Sequence, residues 1–152
     1  MSYYSCLQSI VGDVDQSFLY LDNVTSLNSL AGLQSLTTIE GGMALYELPG
    51  LTTIDNSTFP ALRNVGAMLN IYGIYIYDNP ALTSISGFQA LENIDALEVG
   101  ECYALTSISG FEALASATSM TITDNTALTA ITGFSSLTTI RETAPKSLAT
   151  HG

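Results

Sequence analysis

Residues 82–94 read LTSISGFQALENI and residues 105–117 read LTSISGFEALASA, the first seven positions being the same in both. A third copy, LTAITGFSSLTTI, fills residues 128–140, so Leu82, Leu105 and Leu128 are evenly spaced with a period of 23. The shared frame is L-x-x-I-x-G-F-x-x-L-x-x-I. Looser copies come earlier: LNSLAGLQSLTTI runs from Leu27 to Ile39, and LTTIDNSTFPALRNV runs from Leu51 to Val65 with two extra residues ahead of Phe59. The step from Leu27 to Leu51 exceeds the period by one, but the step from Leu51 to Leu82 exceeds it by eight, so one coil is overlong.

Between these frames lie alternating apolar segments: FLYLDNVTSL, MALYELPGL, IYIYDNPAL, LEVGECYAL and MTITDNTAL. Alternation with a period of two, followed by a turn, marks a short strand with one face turned inward. A coil of this length that also carries two L-x-x-I segments has no room for a helix of three turns. The period falls within the roughly 20–29 residues of leucine-rich repeats, in which each repeat adds a strand to a parallel sheet and none buries its apolar face alone. The expected fold is mainly β: a right-handed, leucine-rich-repeat-like β-solenoid of about five coils with a parallel strand sheet, little helix, and coils ~4.8 Å apart. Residues 1–140 are expected to form this single domain, with a cap and first strand in 1–26 and an irregular tail in 141–152.

The recurring Leu, Ile and Phe positions read as stacked core columns. Gly87, Gly110 and Gly133 precede Phe88, Phe111 and Phe134, at a corner that favours positive φ or close coil contact. Asn79 and Asn125 fall at matching strand exits, where a buried amide can satisfy the backbone of the turn, and Cys102 occupies the same column.

If Leu19 and Leu21 point inward, Tyr20 and Asp22 face outward, as do Ala44 and Tyr46, Glu98 and Gly100, and Thr121 and Thr123. The overlong coil contains LNIYGIYIYDNPALTSI (69–85), where two registers compete. One turns Leu69 and Ile71 inward and Tyr72 outward; the other turns Ile74 and Ile76 inward and Tyr75 and Tyr77 outward. Inward parity switches at Gly73, which predicts a bulge or projecting loop there. An exposed tyrosine cluster on a rigid sheet is the composition of a recognition surface, because amphipathic rings give contact area at low entropic cost. Tyrosine also simply favours exposed β positions. The candidate binding residues are Tyr20, Tyr46, Tyr72, Tyr75 and Tyr77, with Asp22 and Glu47 at the rim.

Three Lys or Arg residues against fourteen Asp or Glu give a net charge of -11, which repels phosphate backbones and anionic lipid alike and argues against nucleic acid and membrane partners. Charged residues are only 11%, so Ser, Thr and Asn supply most of the polar surface, a balance commoner outside cells than in cytosolic enzymes. The opening MSYYSCLQSIVGDV has no basic start and no apolar run before a cleavage site, so the chain is expected to be a mature form or part of a longer one. The single histidine, His151, lies in the tail and cannot readily anchor a triad. The closest acids of the N-terminal half, Asp13 and Asp15, read as a solvated turn, and no Gly-rich phosphate loop occurs. No catalytic residue, metal site or cofactor is expected, and the chain is not expected to be an enzyme.

The layout from CLQSIVGDVDQSFLYLDNVTSLNSLAGLQSLTTIEGG through Ile140 resembles the receptor L-domain branch of the leucine-rich repeat superfamily, over most of the chain. That resemblance implies an extracellular or cell-surface module that binds a protein or glycan. Members commonly cross-link the leading cysteine, here Cys6, within the N-terminal cap. The only other cysteine is Cys102, about four strand steps or roughly 19 Å away against a limit of ~7 Å, so both are expected to be unpaired within the chain. Two alternatives stand beside this reading. One is a self-assembling structural or adhesion protein that stacks end to end through an uncapped C-terminal coil. The other is an ice-binding solenoid that uses the column Thr52, Thr83, Thr106 and Thr129.

Overall fold

The computed structural model describes residues 18–66 and 73–141 in full, and the backbone of Ser9–Ile10. The described residues contain strands and turns and no helix, wound into a β-solenoid of about five turns. The first coil contributes β1 (Ser9–Ile10) and β2 (Leu19–Asp22), and the second β3 (Thr38–Ile39), β4 (Met43–Tyr46) and β5 (Thr53–Ile54). The third holds β6 (Asn64–Val65), β7 (Ile74–Tyr77) and β8 (Ser84–Ile85). β9 (Asn93–Gly100) and β10 (Ser107–Ile108) form the fourth, and β11 (Ser116–Thr123) and β12 (Ala130–Ile131) the fifth; β13 (Thr139–Ile140) opens a sixth.

Every ladder is parallel. The larger sheet runs β1-β3-β6-β9-β7-β4-β2, with β11 beside β9 and β13 beside β11. β5, β8, β10 and β12 make a second, four-stranded sheet from the first L-x-x-I segment of each coil, which sequence periodicity had not marked as strand. β9 is the hinge of the topology. Its first two residues pair with β6 and its last four with β7, so the second L-x-x-I segment and the alternating segment, separate elements in earlier coils, become one strand.

This joining puts a switch of inward parity inside β9. Ile94 and Leu97 are both buried although an odd step apart, and the β9–β11 ladder omits only Asp95 opposite Thr118. The chain thus turns a corner inside an otherwise regular strand. In the third coil Val65 pairs with Ile94 and Ile74 with Leu97, yet the chain between Val65 and Ile74 is much the longer of the two links. Residues 67–72 lie outside the described residues, and with them the register that would use Leu69, Ile71 and Tyr72 and the bulge or projecting loop expected there. The other register holds: Ile74 and Ile76 are buried, and Tyr75 and Tyr77 face outward. Gly73 is itself buried, and a Cβ there would run into the carbonyl group of Ala96. Its task is to let two coils approach at this corner.

The core is a set of columns, as the repeat requires. Phe59, Phe88, Phe111 and Phe134 stack with centroids 5.3, 5.2 and 4.9 Å apart, an offset-stacked spacing. The two extra residues before Phe59 are absorbed in a closed turn. There Ser57 donates its backbone N–H and hydroxyl to Asp55 Oδ1, while the Asp55 N–H donates to Thr58 Oγ1. Phe59 therefore keeps its place in the column. Gly110 and Gly133 have φ of 79° and 77°, and Gly87 instead faces the Asp55 carbonyl at close range, so both expected reasons for glycine occur.

At the strand exits Asn79 is fully buried. Its amide donates to the carbonyls of Leu45 and Tyr77 and its oxygen accepts from Leu48 N–H. Asn125 repeats the arrangement two coils on, with Val99, Thr123 and Cys102 as partners. Cys102 sits between them, buried and unpaired, its thiol donating to Gly100 O. Cys6 lies outside the described residues.

Candidate functional site

The outward positions of β2, β4, β7, β9 and β11 fall into two columns fixed by the parallel register. One column is Tyr20, Ala44, Tyr75, Glu98 and Thr121; the other is Asp22, Tyr46, Tyr77, Gly100 and Thr123. Small residues, Ala44 and Gly100, sit beside the rings in these columns and leave room for them. A Cβ at Gly100 would run into Cε1 of Tyr77, so the Tyr77 ring covers the glycine of the next coil. Tyr46 stacks beside Tyr77 with centroids 5.9 Å apart and planes 15° apart. Tyr20 follows at 6.3 Å from Tyr46, tilted by 44°. The result is a row of three rings running across the first three coils.

A carboxylate closes each end of the row. Tyr20 donates its hydroxyl proton to Asp22 Oδ2 at 3.0 Å, and Tyr77 donates to Glu98 Oε2 at 3.2 Å. The hydrogen bond to Asp22 raises the Tyr20 phenol above its ordinary value; burial, followed by the nearby Glu98 charge, raises Tyr46, Tyr75 and Tyr77. All four phenols are therefore neutral at physiological pH. Tyr20 is 60% exposed, while Tyr46, Tyr75 and Tyr77 are half-buried, so only part of each inner ring is free for contact.

Of the candidate residues, the structure brings together Tyr20, Asp22, Tyr46, Tyr75 and Tyr77 on one face; Tyr72 lies outside the described residues. Glu47 sits beside the face on the turn. It belongs to a further column, Asn23, Glu47, Asp78, Glu101 and Asp124, in which every residue has φ between 48° and 55°. Asn and Asp tolerate this left-handed conformation, whereas for Glu it costs about 1 kcal/mol or more. The first four of these residues are held by N–H groups that donate to the next coil, as Glu47 does to Tyr77 O and Glu101 to Thr123 O. A shallow hollow of about 210 Å³ opens there among Asn23, Glu47, Pro49, Asp78 and Pro80.

Sequence reasoning placed Glu98 on the outer face but not in the site, and it left out Tyr103, which is 49% exposed on the turn. Parity placed Glu98 in the column of Tyr75, but its hydrogen bond with Tyr77 depends on how that ring lies across the coils. A larger groove of about 380 Å³ lies apart from the rings, between Asn64, Asn93, Ser116 and Arg141, and carries no aromatic side chain. The threonine column is exposed, but the hydroxyls of Thr83, Thr106 and Thr129 each donate to the preceding coil's threonine carbonyl. Among the described residues no cluster of His, Cys, Asp or Glu has the geometry of a metal site. Among them, too, no helix is long and apolar enough to cross a membrane.

Comparison of the chain with family models, with curated proteins and with solved structures finds no match. The physical content of the face itself therefore carries the functional reading.

Proposed function

We propose that this chain is a non-catalytic recognition module that works outside the cell or at its surface and binds a protein or glycan through the tyrosine face. The observation that carries this reading is the row Tyr20, Tyr46 and Tyr77, with ring centroids 6.3 and 5.9 Å apart and a carboxylate at each end. Rings held by a sheet lose little entropy on binding, and tyrosine offers apolar area and a polar edge together. The low charge content and the likeness of the repeat to receptor L-domains support the same reading. Probing protein and glycan arrays with the wild-type chain and with Tyr20→Ser/Tyr46→Ser tests it. Ligands bound by the first and lost by the second are expected; equal binding by both, or none by either, overturns it.

A second reading has its own support. Ile131 and Ile140 are about half exposed on the outermost described strands, and Leu128, Phe134 and Leu137 beside them are only partly buried. The first coil presents the same columns in Leu27 and Leu33, so a second copy could continue the stack end to end. Light scattering across a hundredfold range of concentration, on wild type and on Ile131→Lys/Ile140→Lys, decides it. Growth in mass that the substitutions abolish is expected; a constant monomer mass contradicts it.

A further inference from the structure

The ligand of the tyrosine face can be specified further from its hydrogen-bond polarity and spacing. A carboxylate can only accept, so the Tyr20 and Tyr77 hydroxyl protons are committed to Asp22 and Glu98. At the two ends of the row, what remains for a partner is therefore acceptors: carboxylate oxygens and phenol lone pairs. Among the described residues neither cation neutralises them. Arg63 pairs with Glu92, Nη1 to Oε1 2.6 Å, on another part of the surface, and Arg141 lines the distant groove. Lys146 lies outside the described residues. Glu47 and Asp78 add exposed negative charge beside the row.

The two end carboxylates belong to the first and fourth coils and to different columns: three strand steps, about 14 Å, and two residues along the strand, about 7 Å, put their backbone positions about 16 Å apart. An extended peptide advances about 3.3 Å per residue, so positions i and i+4 are about 13 Å apart, the long side chains of Arg or Lys span the remaining ~3 Å, and i+2 falls between them, above Tyr46. The ring steps of 6.3 and 5.9 Å match the roughly 6.6 Å between alternate residues to within about 1 Å. Resting on the recognition reading above, we infer that the face takes an extended peptide segment lying diagonally across the strands. Its Arg or Lys residues at i and i+4 pair with Asp22 and Glu98, and its i+2 side chain packs on Tyr46. Guanidinium suits both tasks, since it pairs with carboxylates and stacks on aromatic rings.

Fluorescence anisotropy with labelled Gly-Arg-Ser-Tyr-Ser-Arg-Gly, against the permuted Gly-Arg-Arg-Ser-Tyr-Ser-Gly, tests the spacing and the charge together. The spaced peptide is expected to bind several-fold tighter than the permuted one and to weaken between about 20 and 200 mM salt. Glu98→Gln and Asp22→Asn are each expected to weaken it about two- to fivefold, and Tyr46→Ser about tenfold. Equal binding of the two peptides, or indifference to both carboxylate substitutions in variants that melt like wild type, overturns the inference. If neither peptide binds while an array ligand is lost on Tyr20→Ser/Tyr46→Ser, the cationic partner is wrong and the recognition face stands. If no array ligand is found either, both fall.

Discussion

Asn79→Ala should be among the most damaging single substitutions in the solenoid, and the structure says by how much. The side chain is fully buried and serves three backbone groups: it accepts from Leu48 N–H at 3.0 Å and donates to Leu45 O at 2.9 Å and Tyr77 O at 3.0 Å. Leu48 N–H would be left without its partner where water does not reach, at about 1–3 kcal/mol. The two carbonyls lose less, because each has a second lone pair and Tyr77 O still accepts from Glu47 N–H. With the small cavity left by the amide, the sum is roughly 3–5 kcal/mol. Asn125 makes the matching bonds to Cys102 N–H, Val99 O and Thr123 O, but it is only half-buried, so water can replace it and Asn125→Ala should cost roughly 1–2 kcal/mol. Urea denaturation followed by circular dichroism, with an unchanged m-value, reads both. Equal losses in the two variants, or a loss below about 1 kcal/mol for Asn79→Ala, would show that burial does not set the strength of this column.

Gly73→Ala should cost about 3 kcal/mol, because the new Cβ meets the Ala96 carbonyl, which is backbone and cannot step aside. Gly42→Ala, whose Cβ mainly meets the Phe18 ring, should cost less, and thermal melts of the two variants order them. The raised phenols give a pH prediction with a definite sign. The folded chain holds these protons more tightly than the unfolded one, so their contribution is complete below the ordinary value of 10.0 and is lost as pH rises through the higher folded values. Melting temperature should therefore fall above about pH 10, and absorbance at about 295 nm should show ionisation later than in free tyrosine. Burial also raises the Cys102 thiol, so in a Cys6→Ser background a thiol reagent should label nothing in the native state and one group in urea. Rapid native labelling would contradict its burial.

Much of the fold was legible because a solenoid repeats its physics. The period-two alternation of LYLD, MALY and IYIY sufficed to place Tyr20, Tyr46, Tyr75 and Tyr77 on one face, and the Phe88, Phe111 and Phe134 spacing sufficed for the core column. The corner inside β9 was not legible. Its inward residues Ile94 and Leu97 break the alternation, and only the three-dimensional turn at Asp95 lets one strand serve both. The second sheet was hidden for a related reason, since a strand as short as Ser84–Ile85 cannot show a period. In the candidate site the rings could be found from parity, but the role of Glu98 could not. It depends on Tyr77 leaning over Gly100, a cross-coil contact that no local pattern encodes.

The most direct test of the recognition face is a titration of the chain carrying ¹³C-labelled tyrosine rings, followed by NMR as the array ligand or the spaced arginine peptide is added. The ring signals of Tyr20, Tyr46 and Tyr77 should shift together along one saturating curve, with Tyr103, on the turn, unmoved. Saturable binding that leaves these three signals in place, or that moves Tyr103 alone, would contradict the tyrosine face as the binding surface.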